Sequence, residues 1–390
     1  MPSLSLEALR ALALKAGLSV VGVTGGEALS LDRERLAEWQ SRGFAAGMAY
    51  MLRPAELLSS PARIEPEACS VISVAVFYDR RPRAPLAPGH GRVARYAWGR
   101  DYHKVLRKRL EQLVGLVQAE VGERFPYRVF SDSVPLLERA MAVRAGVGFV
   151  GKNTMVIIPK RGSFSFLGEI LWGVSVDGGA PPARAAGRCG SCSRCLTGCP
   201  TGAFVSERVM DAGRCISYLT IEKRGWLLPE ERQMLGAWIF GCDVCQDVCP
   251  FNAAPLRRAQ EAEVPELGPA FGVGESLSLA EVLALRDESA FLSRFGGTAL
   301  MRARREGLLR NAAVVAANTG AAELISALSG VSAEDSSPVV RGHALWACAA
   351  LVEREGAPRA PLRQRLSAAL RDPCGEVVRE AEELLSRLPN

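Results

Sequence analysis

The chain is poor in histidine and in aromatic residues, and it has no long apolar run. It holds three histidines, His90, His103 and His343, and aromatic residues make up 6% of its 390 positions. Its longest apolar stretch, around Ala344 to Val352, is far shorter than the roughly 20 residues that cross a bilayer. The N-terminus lacks the basic start and apolar core that are typical of an export signal. We therefore expect a cytoplasmic protein with no membrane segment.

Basic charge is modest over the whole chain but concentrated in one segment. The net charge is +6, yet ten basic residues fall between Arg80 and Leu110 against a single acid, Asp101. Aromatic residues are interleaved with them, a pattern that suits a surface meeting phosphates and stacked bases. A solvated basic helix face is the alternative, and the sequence does not decide between the two. The candidate phosphate contacts in this segment are Arg95, Arg100, Lys104, Arg107 and Lys108.

Eight of the eleven cysteines lie between Cys189 and Cys249. The first group has the spacing C-x-x-C-x-x-C-x-x-x-C-P, which binds 4Fe–4S clusters in bacterial ferredoxins. The second group repeats the last three of these cysteines and lacks the first, so Cys215 is the expected supplier of the eighth thiolate. Eight thiolates are the number that two 4Fe–4S clusters need, so we predict two clusters. The last cysteine of such a run ligates the other cluster, which sets how the ligands are divided. Their ligands would be Cys189, Cys192, Cys195 and Cys249 in one, and Cys199, Cys215, Cys242 and Cys245 in the other.

Other uses of these cysteines fit the pattern less well. A disulfide framework is typical of short secreted chains. Structural zinc usually takes two C-x-x-C pairs and would not explain the two Cys-Pro endings. Cys69, Cys348 and Cys374 have no partner spacing, and we expect them to be buried as small apolar residues.

Three regions are predicted along the chain. Residues 1–183 mix helical and strand patterns and indicate an α/β (α+β) domain built in layers. Residues 184–265 form a ferredoxin-like module, entered through a Gly/Pro/Ala linker at 177–187, and residues 266–390 form a tail that is helical throughout. In the first region the predicted helices cover about 5–16, 31–42, 101–121 and 133–145, and the predicted strands 18–24, 70–78, 127–131, 154–158 and 164–176.

The tail contains a loose internal repeat. Similar helix starts recur at 309–313, 340–344 and 378–381, which is typical of short HEAT-like repeats. Arg310 and Arg341 occupy matching positions in the first two. They would either bind phosphate or cap helix ends within the stack.

Two features near the middle of the first region concern ligand binding. Gly146 to Gly151 matches G-x-G-x-x-G, but a predicted helix precedes it and a strand follows, the reverse of a dinucleotide site. Gly146 is expected to end its helix, and the other glycines to let backbone approach a flat ligand. Asp132 follows a predicted strand, where it would cap the next helix and could also donate a proton.

Several strings in this order resemble the epoxyqueuosine reductases. They are Gly99-Arg100-Asp101-Tyr102-His103-Lys104, Asp132-Ser133-Val134-Pro135-Leu136-Leu137-Glu138-Arg139, Gly151-Lys152-Asn153-Thr154 and Cys215-Ile216-Ser217-Tyr218-Leu219-Thr220-Ile221-Glu222, together with both cysteine groups. The resemblance covers residues 1–260 strongly. It implies an enzyme that uses cobalamin and two 4Fe–4S clusters to reduce the epoxide of epoxyqueuosine to queuosine at the wobble position of tRNA.

The resemblance also implies roles for particular residues. Asp132 would be the proton donor of a cobalamin domain similar to that of reductive dehalogenases. Residues expected to line the corrin pocket are Lys152, Asn153, Thr154, Ser163 and Ser217. The tRNA contacts would come from the basic segment and from Arg310 and Arg341, and electrons from a flavodoxin or ferredoxin type of donor. We expect a monomer. We also expect cobalt to lack a histidine lower ligand, because the Asp-x-His-x-x-Gly motif is absent.

Two rival functions are compatible with the same cysteine pattern. A reductive dehalogenase would share cobalamin and both clusters, but it would act on a small organohalide. An electron-transfer subunit would need the clusters alone. The basic segment and the helical tail favour a large nucleic-acid substrate over an organohalide. A simple electron-transfer module would not need the α/β domain of about 180 residues that precedes the cysteines.

Overall fold

The computed structural model describes residues 3–78, 81, 83–177, 188–257 and 263–388. Arg80 and most of the predicted linker, 178–187, lie outside the described residues. The strands are β1 (Ser3–Ser5), β2 (Val20–Gly25), β3 (Ser70–Phe77), β4 (His90–Val93), β5 (Tyr127–Phe130), β6 (Phe149–Val150), β7 (Val156–Ile157), β8 (Ser165–Trp172), β9 (Ser175–Asp177), β10 (Phe204–Ser206), β11 (Val209–Met210), β12 (Trp238–Phe240) and β13 (Ser276–Ser278).

The helices divide into a group that precedes the cysteine region and a larger group in and after it. They are α1 (Leu6–Lys15), α2 (Ser30–Ser41), α3 (Ala55–Leu58), α4 (Tyr102–Val121), α5 (Glu138–Arg144), α6 (Arg194–Thr197), α7 (Pro229–Met234), α8 (Val244–Asp247), α9 (Pro250–Arg257), α10 (Leu279–Leu283), α11 (Glu288–Phe295), α12 (Arg304–Thr319), α13 (Ile325–Glu334), α14 (Pro338–Glu355), α15 (Arg359–Ala369) and α16 (Gly375–Arg387). Residues Tyr218–Glu222 form a π-helical turn.

The described residues form two compact units that are not continuous in sequence. The first unit is drawn from 1–82, 98–213 and 243–272, and the second from 83–97, 214–242 and 273–390. The chain therefore passes between the units several times. The predicted linear division at 183 and 265 stays a prediction.

The first unit is built on an antiparallel sheet in the order β2-β3-β8-β5. Strand β3 is buried along its whole length, because helices cover both faces of the sheet. On one face, Met141 of α5 packs with Val71 and Leu171. On the other face, Leu110 of α4 lies against Gly168. The predicted mixture of helices and strands is confirmed, and because its sheet is antiparallel the unit belongs to the α+β class.

The helix predicted at 133–145 starts later than expected. It begins at Glu138, with Leu137 at the capping position, so the prediction that Asp132 caps it is wrong. Residue 132 instead adopts a left-handed backbone conformation with φ of 53°. The turn between β5 and α5 is thus irregular, and it holds Asp132 apart from the helix.

The glycine motif is used for packing. Gly146 ends α5 with φ of 78°, as predicted, and β6 follows it. A Cβ atom on Gly148 would lie 2.5 Å from the carbonyl oxygen of Ile157 in β7. The prediction that this glycine approaches a flat ligand is therefore wrong, since it makes room for the neighbouring strand of its own hairpin.

The second unit combines the tail helices with a small sheet in the order β12-β4-β13. Strand β4 is parallel to β12 and antiparallel to β13. A strand at 276–278 corrects the prediction of a tail that is helical throughout. The HEAT-like character of the remaining helices stays a prediction.

Candidate functional site

Asp132 lies at the centre of a hydrogen-bonded turn after β5. Its Oδ2 accepts a hydrogen bond of 2.8 Å from the hydroxyl group of Tyr102, and its backbone N–H donates one of 2.6 Å to Oε1 of Glu138. The Asp132 side chain is exposed. Its left-handed backbone is uncommon for a residue other than glycine, and such conformations are frequent at functional sites.

Tyr102 is held rigidly at the start of α4. Asp101 caps this helix by accepting a hydrogen bond from the backbone N–H of His103. The Tyr102 ring stacks on Phe166 of β8 with ring centres 4.2 Å apart and planes 9° apart. The position of the hydroxyl group on Asp132 is therefore determined by packing against the sheet.

Thr154 belongs to the same neighbourhood. The guanidinium group of Arg139 donates to the carbonyl oxygen of Thr154 at 2.9 Å and to its hydroxyl at 3.2 Å. Thr154 also has a left-handed backbone, with φ of 65°. Arg139 is exposed, like the adjacent turn, so polar groups here face open space.

Two further carboxyl groups lie behind Asp132. Burial, followed by the negative charge of Asp132, raises the pKa of Glu138 well above its ordinary value. Burial, followed by the charge of Glu138, does the same to the pKa of Glu169. Glu169 is completely buried and accepts a 3.1 Å hydrogen bond from Ser73. A site with several acids and one nearby cation can hold and transfer protons.

Three of the predicted pocket residues are engaged elsewhere in the first unit. Lys152 forms an ion pair of 2.6 Å with Glu207. Asn153 donates to the carbonyl oxygen of Cys245, and Ser163 donates to the side chain of Gln246. All three are more than 90% buried. Their polar atoms join the strands to the cysteine segment, and their role at a corrin pocket stays a prediction.

Ser217 belongs to the second unit. It precedes the π-helical turn, and its carbonyl oxygen accepts a hydrogen bond from the hydroxyl of Thr220. Its role at a corrin pocket stays a prediction.

Four of the predicted cluster ligands lie close enough together in the first unit to influence one another's charge. Burial raises the pKa of Cys195, and the negative charges of Cys249 and Cys189 add to the effect. Burial also raises the pKa of Cys249, with smaller contributions from the charges of Cys189 and Cys192. The four thiols predicted for one cluster are therefore near neighbours, and their binding of one cluster stays a prediction. Their chemistry fits an iron–sulfur cluster, because iron binds the thiolate form of cysteine and stabilises it when it replaces the proton.

Backbone donors also point at cysteine sulfur atoms. The N–H of Lys152 lies 3.4 Å from Sγ of Cys189, and the N–H of Ala203 lies 3.4 Å from Sγ of Cys199. Such hydrogen bonds tune the potential of a bound cluster. The second predicted set is divided, with Cys199 and Cys245 in the first unit and Cys215 and Cys242 in the second. That set stays a prediction.

The candidate tRNA contacts fall into two classes. Arg100, Lys104, Arg107 and Lys108 are exposed at the start of α4. Arg95 and Arg310 are only 2% and 1% exposed, and Arg341 binds Asp372 through two hydrogen bonds of 2.8 and 2.7 Å. The burial of Arg95 and Arg310 and the ion pair of Arg341 count against a phosphate contact by these three, and the tRNA contacts as a set stay a prediction.

Comparisons with known proteins identify the family. A family model described as epoxyqueuosine reductase QueG matches residues 59–133, and one described as a 4Fe-4S double cluster binding domain matches residues 188–252. The epoxyqueuosine reductase of Pseudomonas aeruginosa is 42% identical over 85% of this chain and 90% of its own length. This chain belongs to the epoxyqueuosine reductase family. The Xanthomonas campestris reductase is 40% identical over 87% of the chain and 94% of its own length.

Solved epoxyqueuosine reductases share the whole fold. One, crystallised with an epoxyqueuosine-modified tRNA-Tyr stem loop, has a TM-score of 0.87 at 30% identity and covers 97% of this chain and 98% of its own. The Bacillus subtilis reductase has a TM-score of 0.85 at 30% identity and covers 98% of each chain, and its structure is described as having a catalytic aspartate loop swung out of the active site. Solved reductive dehalogenases are only weakly similar, so the predicted likeness of the cobalamin domain stays a prediction.

Sequence reasoning missed three residues that lie around Asp132. Tyr102 and Glu138 were within the recognised strings, but nothing in the strings showed that they contact Asp132. Glu169 had its own signal, since it is a single acid inside an otherwise apolar strand, β8.

Among the described residues, no helix is long and apolar enough to cross a membrane.

Proposed function

We propose that this protein reduces the epoxide of epoxyqueuosine in tRNA to the alkene of queuosine. The observation that carries the proposal is the close match, over 97% of the chain, to a reductase crystallised with an epoxyqueuosine-modified tRNA stem loop. The converging cysteines and the aspartate turn support it, because the reaction needs both electrons and protons.

The reaction consumes two electrons and two protons. Both carbon–oxygen bonds of the epoxide break, a carbon–carbon double bond forms, and the oxygen leaves as water. Cobalamin, when bound, would supply a strongly nucleophilic metal centre, and two 4Fe–4S clusters would supply electrons one at a time. The four converged cysteines would hold one cluster, while Cys199, Cys215, Cys242 and Cys245 would hold the other.

The protein's own part begins at the Asp132 turn. Thr154, anchored by Arg139, and the exposed turn would border the corrin, with the buried Lys152, Asn153 and Ser163 supporting the strands behind. Asp132, held by Tyr102, would protonate the departing oxygen. General acid catalysis is typically worth about a hundred- to ten-thousand-fold. Asp132→Asn should therefore retain iron, cobalamin and tRNA binding but lose most turnover, and full turnover by this variant would remove Asp132 from the role.

The exposed cations at the start of α4 would bind the phosphates of the tRNA. Electrons would enter through the first cluster, because Cys249 borders an open cavity of about 410 Å³ that is also lined by Arg194 and Asp247. A flavodoxin or ferredoxin type of donor suits this route. An enzyme acting on tRNA would work in the cytoplasm, and we expect it to act as a monomer with HEAT-like repeats in its tail.

The deciding experiment is anaerobic reconstitution with iron, sulfide and cobalamin, followed by reduction in the presence of tRNA that contains epoxyqueuosine. Mass analysis of the digested nucleosides should show the loss of one oxygen atom. Binding of both kinds of cofactor with unchanged tRNA would contradict the proposed substrate and favour a dehalogenase-like reaction. Binding of clusters without cobalamin would instead favour a role in electron transfer alone.

A further inference from the structure

Three carboxyl groups of the first unit run from the surface into the core. Asp132 is exposed, Glu138 is partly buried, and Glu169 has no exposed surface. Glu138 receives the backbone N–H of Asp132 at 2.6 Å. Glu169 lies one layer deeper on β8, directly opposite Ser73 of β3 and Phe130 of β5. The three acids therefore share one region between the sheet and the start of α5.

Glu169 is poorly supplied with partners for a charged carboxylate. Ser73 donates a hydrogen bond to its Oε1, but its Oε2 is buried and accepts none within the described part of the chain. From the turn after β5 it faces Asp132, and from α5 it faces Glu138. An ionised carboxylate in this position would lack the compensation that burial requires.

Of the cations of α5, Arg139 faces Asp132 and Glu138 and partly offsets their charge, but neither arginine pairs with Glu169. Arg139 binds Thr154, and Arg144 binds the carbonyl oxygens of Gly25 and Glu27. No ion pair of Glu169 occurs among the residues that the structure describes. Burial and the neighbouring negative charges raise the pKa values of Glu138 and Glu169 well above their ordinary range, with burial as the larger cause. Two interacting carboxyls of this kind titrate as a pair and release their protons in separate steps.

We propose that Glu138 and Glu169 together hold a proton in reserve and deliver it to Asp132 during turnover. The proposal rests on the proposed function, in which the departing oxygen takes up two protons to become water. Both protons reach the oxygen through Asp132: the pair supplies one by protonating the Asp132 carboxylate, and solvent supplies the other. The two electrons come from the reduced cofactors, so the pair contributes protons only. Glu138 and Glu169 are positioning residues that act through Asp132.

The first test is the pH dependence of single turnover in the reconstituted enzyme with epoxyqueuosine-containing tRNA. Glu169→Gln keeps the size and the acceptor for Ser73 but cannot release a proton. We expect the rate of this variant to fall by about tenfold above neutrality and to recover towards wild type in acid, where solvent protonates Asp132 directly. Glu138→Gln should show the same pattern. An equal loss at every pH would mean a structural role and would overturn the proposal, as would an unchanged profile.

The second test does not depend on turnover. Infrared spectra of the folded wild-type protein at neutral pH should contain the carbonyl band of a buried protonated carboxylic acid, and Glu169→Gln should weaken it. The matched control is Glu120→Gln on the exposed side of α4, which should change neither the band nor the rate. Absence of the band in wild type would overturn the proposal that Glu138 and Glu169 store a proton. If wild type shows the band but leaves the tRNA unchanged, the proposed function fails while the stored proton stands.

Discussion

The hydroxyl group of Tyr102 lies 2.8 Å from Oδ2 of Asp132, although the two residues are 30 positions apart in sequence. The tyrosine ring is fixed by stacking on Phe166, and the aspartate backbone is held in a left-handed conformation. The hydrogen bond therefore joins two rigid parts of the first unit. It determines where the proposed proton donor points.

Tyr102→Phe should slow the reaction and leave the fold intact. The substitution keeps the stacked ring but removes the donor to Asp132, and a hydrogen bond to a charged group is worth about 1.5–3 kcal/mol. We expect a loss of about tenfold or more in single-turnover rate, with tRNA affinity and iron content unchanged. A variant that reacts at the wild-type rate would show that Asp132 is positioned without Tyr102.

Loss of Cys249 should remove one cluster, whereas loss of Cys348 should remove none. Cys249 converges with three other cysteines, so Cys249→Ser is expected to bind about four irons where wild type binds about eight. Cys348 is buried in the helical tail, where burial raises the pKa of its thiol to about 12. Cys348→Ser is the matched control. Iron analysis and the visible spectrum after reconstitution measure both, and equal losses would contradict the predicted ligand set.

Reversal of charge on α4 should weaken tRNA binding in a salt-dependent way. Lys104 and Lys108 are both exposed near the start of this helix, and each lysine that binds a phosphate releases a counterion. The double variant Lys104→Glu, Lys108→Glu should lower affinity and reduce the slope of log affinity against log salt by about 1 for each phosphate that is no longer neutralised. Lys15→Glu, at the exposed end of α1, is the control. An unchanged slope would place the tRNA on another surface.

Arg310 should matter for stability and not for tRNA binding. Its guanidinium group donates to the carbonyl oxygens of Leu219, Lys223 and Gly225, and burial lowers its pKa to about 10. Arg310→Met leaves these oxygens buried without donors, so we expect unfolding to become easier by about 3 kcal/mol or more. Arg379→Met, on an exposed face of α16, should change stability by less than about 0.5 kcal/mol. Chemical denaturation of both variants provides the comparison.

His343 should make the protein sensitive to mild acid. It is fully buried, accepts the backbone N–H of Leu227 at Nε2, and lies 2.7 Å from the carbonyl oxygen of Val339 at Nδ1. Burial, with the charges of Arg232 and Arg310, lowers its pKa well below the ordinary value. In mild acid the His343 ring therefore binds a proton in the unfolded chain but not in the folded chain. Its contribution to stability is present above about pH 6.5 and is lost as the pH falls below it, by about 1.4 kcal/mol per pH unit.

The measurement for His343 is the free energy of unfolding at neutral and mildly acidic pH. His343→Gln removes the titrating ring, so its stability should fall less between the two conditions than that of wild type. His90→Gln is the control, since His90 is only partly buried. Equal acid losses in wild type and His343→Gln would assign the sensitivity to other groups.

Features that depend on local order in the chain were predictable from the sequence. The cysteine spacing grouped four thiols that are near neighbours in the first unit, because the reach of a short loop limits its partners. Apolar, β-branched runs located the main strands, and the glycine after α5 ended that helix as expected. The strings around Asp101 and Asp132 indicated the family. Each of these signals lies within a few residues of the feature that it predicts.

The tertiary structure alone decided which side chains meet and which remain accessible. Arg310 and Lys104 are both basic residues that the sequence offers as phosphate contacts, yet packing buries the first and exposes the second. Likewise, Tyr102 contacts Asp132, and Asp132 lies near enough to Glu169 to affect its charge, because β5 and β8 are neighbours in the sheet. Such contacts depend on how whole elements pack, and the free energy of that packing is spread over many distant residues. Residue type and spacing therefore indicated the chemistry, and only the packing of the elements determined the site.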